Sequence, residues 1–299
     1  MEIIQAIILG VIQGVAEFLP ISSSGHLILI PNFFNWSDQG LAFDVALHWG
    51  TLFAILVYFY NDWIGIIRNS YLLKLPWRES RKDQSNLVTT HREFKHEIYS
   101  SLYRVFHNNT LSFRFLKSDL LFIIIIATIP GVIVGLLLNT YAETIFRDPL
   151  IIAITLFLGA VLLFYADKIG AKKTDLTNLS LKMGIIIGLF QALAIIPGVS
   201  RSGITITAAL LLGIKRKDAA KFSFLLSTPI ILGAGIKEFP NLLESGLNEN
   251  IIIGTIVATI SGYLAIKYML RYLENRSYNI FVVYRILLSL IIISLFYTL

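Results

Sequence analysis

Residues 3–34 read IIQAIILGVIQGVAEFLPISSSGHLILIPNFF, and the failure of this stretch to be one unbroken apolar helix decides the fold. An apolar run over 3–19 is interrupted by PISSSGH and resumes over 27–34. Neither arm reaches the ~20 residues that a helix needs to cross a bilayer. Pro and Gly at the break free backbone groups that lipid cannot satisfy, so such a break survives only buried in protein or lining a cavity. The stretch is therefore predicted to enter and leave the membrane on one side, as a re-entrant helix–loop–helix. A second stretch repeats the pattern: 183–196 is apolar, PGVSRSG interrupts it, and 204–214 resumes.

Six further apolar runs, near 41–60, 120–138, 150–166, 222–236, 251–270 and 280–299, are predicted to cross the membrane fully. The expected fold is an all-α polytopic membrane protein with six full transmembrane helices plus two re-entrant hairpins. Composition agrees. Apolar residues make up 56% and mean hydropathy is +0.72, against the ~45–50% apolar share of soluble domains. The N-terminal run has no basic leader and no small-residue cleavage site, and Glu2 and Glu17 lie within it, so it is read as mature structure. There are no cysteines, which excludes disulfides and thiolate chemistry. The net charge of +6 is assigned to cytoplasmic loops rather than to nucleic-acid binding.

Loop charge orients the spans. Residues 62–118 carry ten Lys/Arg, 167–182 carry four lysines, and 215–221 carry Lys215, Arg216, Lys217 and Lys221. Residues 139–149 and 237–250 each hold one basic residue against two or three acidic ones. The basic group is predicted to be cytoplasmic, which puts both termini outside, opens the first hairpin outward and the second inward. The chain then forms a single integral-membrane domain over 1–299. Its first repeat is 1–166 (hairpin 3–34, cytoplasmic loop 62–118) and its second is 181–299 (hairpin 183–214). Two such units of opposite orientation make an inverted-topology repeat.

An ungapped alignment supports the repeat. Gly10/Gly188, Gln13/Gln191, Ala16/Ala194, Ser22/Ser200, Ser24/Ser202 and Gly25/Gly203 are six identities in one register. Where the copies differ, Glu17 faces Ile195, Ser23 faces Arg201 and His26 faces Ile204. One copy holds the acid and imidazole, the other the cation.

Ionisable groups inside membrane segments cost ~2.5–3.5 kcal/mol on insertion scales and mark function by default. Arg201 offers a planar, permanently charged fork suited to phosphate oxygens. Backbone N–H groups after each break lie at helix N-termini, where anions are favoured, and Gly25 and Gly203 allow close approach. Gln13 and Glu17, four apart, share a helix face able to hold a divalent ion or orient water. His26 is a candidate acid, base or nucleophile, and Ser23 is the best-placed hydroxyl; serine attack, histidine attack and activated water all stay open. The blander readings are backbone capping by Ser22 and Ser24, helix packing at Gly25 and Gly203, and a structural Glu17–Arg201 pair. His48, beside Trp49 and Gly50, reads as structural or peripheral. His91, His96 and His107 read as solvated surface, and Pro130-Gly131 as a kink.

GVIQGVAEFLPISSSGH (10–26) and PGVSRSGIT (197–205) closely resemble the two signature motifs of the undecaprenyl-diphosphate phosphatase family of the bacitracin-resistance type. The resemblance extends to ALHWGTLFAIL (46–56), ATIPGVIVGLL (127–137) and FSFLLSTP (222–229). It implies hydrolysis of undecaprenyl diphosphate in the bacterial cytoplasmic membrane, at a site facing outward, with a divalent cation (Mg or Ca) at Gln13 and Glu17. It carries catalytic roles onto Glu17, Ser23, His26 and Arg201. Substrate contacts are expected at Gln13, Ser22, Ser24, Gly25, Ser200, Ser202, Gly203 and Thr205. Expected partners are the polyprenyl diphosphate and membrane lipids, not nucleic acid, with a homodimer as a candidate assembly. Gln13 stands where many members carry Glu, which weakens a two-carboxylate metal site, and residues 62–118 are longer than usual. The rival reading is a polyprenyl-phosphate transporter or flippase, since inverted repeats with broken helices suit alternating access.

Overall fold

The structure is a computed structural model that describes residues 2–37, 40–70, 119–138, 140–141, 144–244, 246 and 248–298. Most of the cytoplasmic loop expected over 62–118 lies outside the described residues. The described elements are helical: α1 (Ile3–Phe18), α2 (Ser23–Phe33), α3 (Gly40–Tyr58), α4 (Tyr60–Asn69), α5 (Leu120–Leu137), α6 (Pro149–Ile169), α7 (Leu181–Ala192), α8 (Arg201–Leu211), α9 (Arg216–Glu244), α10 (Glu249–Tyr272) and α11 (Asn279–Thr298). Four of them, α5, α6, α9 and α10, are long and apolar enough to cross a membrane; α3 with α4 makes a fifth if that bent pair is one span. Rows of Leu, Ile and Val on these helices are exposed, including Leu137 at 73% and Ile260 at 57%. That much uncovered apolar surface belongs to a protein solvated by lipid.

Helix starts follow local chemistry. Asp119 caps α5 by accepting from Leu121 N and Phe122 N, and Asp148 caps α6 the same way ahead of Pro149. Ser180 and Asn248 cap α7 and α10.

Two connections differ from expectation. Residues 62–69, expected as loop, continue the helix as α4 after a 71° bend. The expected loops 215–221 and 237–250 are in large part the ends of a 29-residue α9. Charged side chains there find partners across the fold, so the helix outruns its apolar window. Arg216 pairs with Asp167 at 2.6 Å, Lys217 with Glu274 at 2.7 Å, and Lys221 with Asp62 at 2.5 Å.

The packing order matters for the site. α1 lies along α10, and α7 lies along α5. α3 meets both α9 and α10, while α6 packs against α11 and α8. Glycines make the first two contacts close: a Cβ at Gly10 would meet Gly254 O at 2.7 Å, and one at Gly188 would overlap Ala127 O.

Candidate active site

The two breaks have one local design. α1 ends at Phe18, and after three residues Ser22 adopts φ 75°, ψ 90° and starts α2 by accepting from Gly25 N at 3.4 Å. In the second break Ser200 adopts φ 69°, ψ 112° and starts α8 by accepting from Gly203 N at 3.1 Å. A non-glycine residue at positive φ costs ~1–3 kcal/mol. Glycine would remove that strain but also the capping oxygen, so serine is retained at both. The flanking hydroxyls repeat as well, Ser22–Ser24 at 3.5 Å and Ser200–Ser202 at 3.3 Å.

The tips of the breaks touch. Gly198 N donates to Ser22 Oγ at 3.0 Å, and Ser202 Oγ donates to Leu19 O at 3.1 Å. Across this junction stands Glu17, 6% exposed. Arg201 Nη2 donates to its Oε1 at 2.6 Å, while Oε2 accepts from Ser23 Oγ at 2.6 Å and Gln13 Nε2 at 3.1 Å. Arg201 is steadied from behind: its Nη1 donates to Ser223 O at 3.0 Å, and Thr205 Oγ1 donates to Arg201 O at 2.8 Å. Thr205 also shares a 2.7 Å hydrogen bond with Ser223 Oγ.

His26 is held apart from this cluster. Its Nδ1 lies 2.7 Å from Ser22 O, and a carbonyl can only accept, so Nδ1 carries a proton. In the neutral ring Nε2 is then the acceptor, and Tyr284 Oη donates to it at 2.6 Å with the two rings stacked 5.7 Å apart. Thus Gln13, Glu17, Ser23 and Arg201 are in direct contact. Ser22, Ser200 and Ser202 serve the caps and the junction, Ser24 joins Ser22, and Thr205 supports Arg201. Gly25 and Gly203 face the capping serines, where a Cβ would meet Ser22 Oγ at 3.3 Å and Ser200 Cβ at 3.0 Å.

Sequence reasoning missed three residues. His48, read as structural or peripheral, points Nε2 at Glu17 Oε2 from 3.7 Å. Tyr284 carried no signal in an apolar run. Arg285, wholly buried in the same run, did carry one: an arginine amid a predicted span is a functional flag by itself.

Chemically, the junction holds a hydroxyl already donating to a carboxylate, a guanidinium fork and two helix N-termini, at Ser23 and Arg201. That arrangement suits attack on a bound phosphate. The family model for bacitracin resistance protein BacA matches residues 6–291. An undecaprenyl-diphosphatase of Moorella thermoacetica is 45% identical over 297 residues, covering 99% of this chain and 99% of its own length. Undecaprenyl-diphosphatases of Geotalea daltonii (43% over 291 residues, 96% of this chain and 95% of that one) and Pelotomaculum thermopropionicum (39% over 295, 99% and 97%) are also similar. Matched over nearly its whole length by the family model and by these relatives alike, the chain belongs to the bacitracin resistance protein BacA family.

Proposed function

We propose that this chain is an integral-membrane phosphatase that hydrolyses undecaprenyl diphosphate to undecaprenyl phosphate and inorganic phosphate, recycling the lipid carrier for cell-wall synthesis. The observation that carries the reading is Ser23 Oγ donating to Glu17 Oε2 at 2.6 Å, on a carboxylate whose other oxygen holds Arg201 of the opposite break. The relatives' name supplies the substrate, and their coverage extends it along the whole chain.

Substrate diphosphate competes with Glu17 for the Arg201 fork, which binds phosphate oxygens bidentately. Released from Arg201, Glu17 is free to take the Ser23 proton. Ser23 Oγ then bonds to the terminal phosphorus as the bond from that phosphorus to the bridging oxygen breaks, and undecaprenyl phosphate leaves with that oxygen. Water opens the resulting phosphoserine: its oxygen bonds to phosphorus, Ser23 Oγ regains its proton from Glu17, and inorganic phosphate departs. His26, once Tyr284 Oη gives way, takes the proton of that water and hands it to the departing phosphate, which restores the neutral ring. Attack by His26 itself is the less supported route, because both its nitrogens are engaged.

A divalent cation, Mg or Ca, fits only in part. Among the described residues no group of three or more His, Cys, Asp or Glu is placed to hold one. Among the described residues Glu17 is the one carboxylate at the junction, but Gln13 Oε1 is buried with no partner, an oxygen left for a ligand. Gln13 and Glu17 would hold the ion together with substrate phosphates and water, a common arrangement for Mg. There it would neutralise charge on the phosphates.

The reading includes six full spans and two re-entrant hairpins in an inverted repeat, with both termini and the site toward the outer side of the cytoplasmic membrane. Exchange of the two repeats turns α1–α10 packing into α7–α5 packing, and α3–α10 into α9–α5, and all four pairs occur. The shared cap geometry of Ser22 and Ser200 supports the same symmetry.

The test is phosphate release from undecaprenyl diphosphate by purified protein, with acid-quench trapping of a phosphoserine. Wild type should release phosphate and accumulate label on Ser23, while Ser23→Ala should do neither. Absence of hydrolysis by folded wild type, alongside lipid movement in vesicles, would favour the transporter reading.

A further inference from the structure

Arg285 takes no part in the proposed chemistry, yet it lies at the junction of everything that chemistry requires. It is 0% exposed. Its hydrogen bonds run to backbone carbonyls, and among the described residues none goes to a carboxylate. Nη1 donates to Pro20 O of the first break at 3.2 Å. Nη2 donates to Gly198 O at 3.0 Å and Val199 O at 3.1 Å in the second break. Nε reaches Leu156 O at 3.1 Å and Nη2 also Thr155 O at 3.4 Å, both on α6.

These acceptors are the groups that the breaks leave open. Pro20, Gly198 and Val199 lie where the helix ladder has stopped, and at membrane depth no water replaces it. A guanidinium has five N–H donors in a fixed plane, so one side chain can satisfy carbonyls on separate segments and hold them at set spacing. Two glycines make the room. A Cβ at Gly159 of α6 would overlap the guanidinium, and one at Gly203 in the first turn of α8 would come within 2.8 Å of Nη1.

We infer that Arg285 is a positioning residue for the phosphatase site: it clamps both breaks to α6 and so fixes Ser23 and Glu17 against Arg201. The inference rests on the proposed site between the breaks. Other ties cross the junction, Gly198 N to Ser22 Oγ, Ser202 Oγ to Leu19 O and Arg201 Nη2 to Glu17 Oε1, and Thr155 Oγ1 of α6 donates to Pro197 O of the second break, but each joins two segments. The hydrogen bonds of Arg285 reach three, the first break, the second break and α6 behind them.

The experiment measures kcat and KM for phosphate release in detergent-purified Arg285→Gln and Arg285→Lys, with thermal melts to confirm folding. A misplaced attack geometry costs about 100-fold in rate, so Arg285→Gln should lose roughly that in kcat with KM changed by less than about three-fold. Arg285→Lys keeps the charge and three donors and should recover about ten-fold of the loss. A double-mutant cycle with Ser202→Ala adds a readout that general destabilisation does not move. Both changes loosen one junction, so their combined loss should fall short of the product of the single losses. Gly159→Ala provides an independent arm if the arginine variants do not fold. It favours the α6 helix yet displaces the guanidinium, and it should lower kcat about ten-fold or more. Wild-type kcat in a folded Arg285→Gln or in Gly159→Ala, or strictly multiplicative effects in the cycle, would overturn the assignment. Inactive wild type would instead remove the phosphatase reading beneath it.

Discussion

Glu17→Gln separates the two tasks assigned to this carboxylate, because it keeps the shape of the side chain while removing its charge and basicity. Glu17 holds Arg201 at 2.6 Å and accepts the Ser23 proton donor at 2.6 Å, in a place where Glu17 is 6% and Arg201 13% exposed. Breaking a buried pair by neutralising one partner costs about 3–5 kcal/mol of stability; retained hydrogen bonding by the amide oxygen should keep the loss at the lower end. A general base contributes about 10²–10⁴-fold, and kcat should fall by that much. KM should not rise. In the proposed mechanism substrate phosphates compete with Glu17 for Arg201, so removing the competitor should leave KM unchanged or lower it by a few-fold, on the order of the ~1 kcal/mol of a net hydrogen bond. The assay is phosphate release over a substrate series, at several Mg concentrations, with melts run in parallel. A raised KM with wild-type kcat would refute the reasoning, since Glu17 would then serve binding alone. Recovery of kcat at high Mg would refute it differently, by making the carboxylate chiefly a cation ligand.

Two further outcomes are expected. Tyr284→Phe keeps the stacked ring and removes the Oη that donates to His26 Nε2 at 2.6 Å; it should make His26 react faster with diethylpyrocarbonate and leave kcat unchanged or raise it by up to about five-fold, the value of ~1 kcal/mol. A loss as large as that of His26→Ala would instead place the Tyr284 hydroxyl in the chemistry. The chain has no cysteine, so single cysteines report topology cleanly. Glu244→Cys should label from outside and Lys172→Cys only from inside, and the reverse pattern would invert the orientation.

What the sequence disclosed follows from which forces act locally. The breaks were legible because Pro, Gly and serines stand together between apolar arms each too short to cross a bilayer, whereas Pro130-Gly131 alone leaves α5 continuous. Glu17 and Arg201 were legible because a charge beside such a break is too costly to keep unless a partner or a ligand meets it there. The ends of α9 were not legible. Hydropathy reads Arg216, Lys217 and Lys221 as loop, whereas Asp167, Glu274 and Asp62, remote in sequence, let them stay helical. The placement of His48 was not legible for a related reason: nothing within its own helix shows that α3 presents it to a carboxylate on α1. Capping chemistry explains the serines better than ligand binding alone does, since Ser22 and Ser200 each occupy a strained φ to start a helix.

The two breaks are built alike yet filled unequally, and on the proposed reading that asymmetry is what lets them form a site. Had both copies kept Glu and Ser, two carboxylates would face each other across the junction and repel both one another and a phosphate. Had both kept Arg, no group would take the proton of an attacking hydroxyl. With acid and hydroxyl on one tip and the fork on the other, the pair that stabilises the resting junction, Glu17–Arg201, is also the pair a phosphate must separate. In the proposed mechanism, substrate binding and activation of the nucleophile thereby become one event. The backbone around that event must hold its spacing while its central ion pair opens, and Arg285, bonded to carbonyls and not to either partner, is placed to hold it.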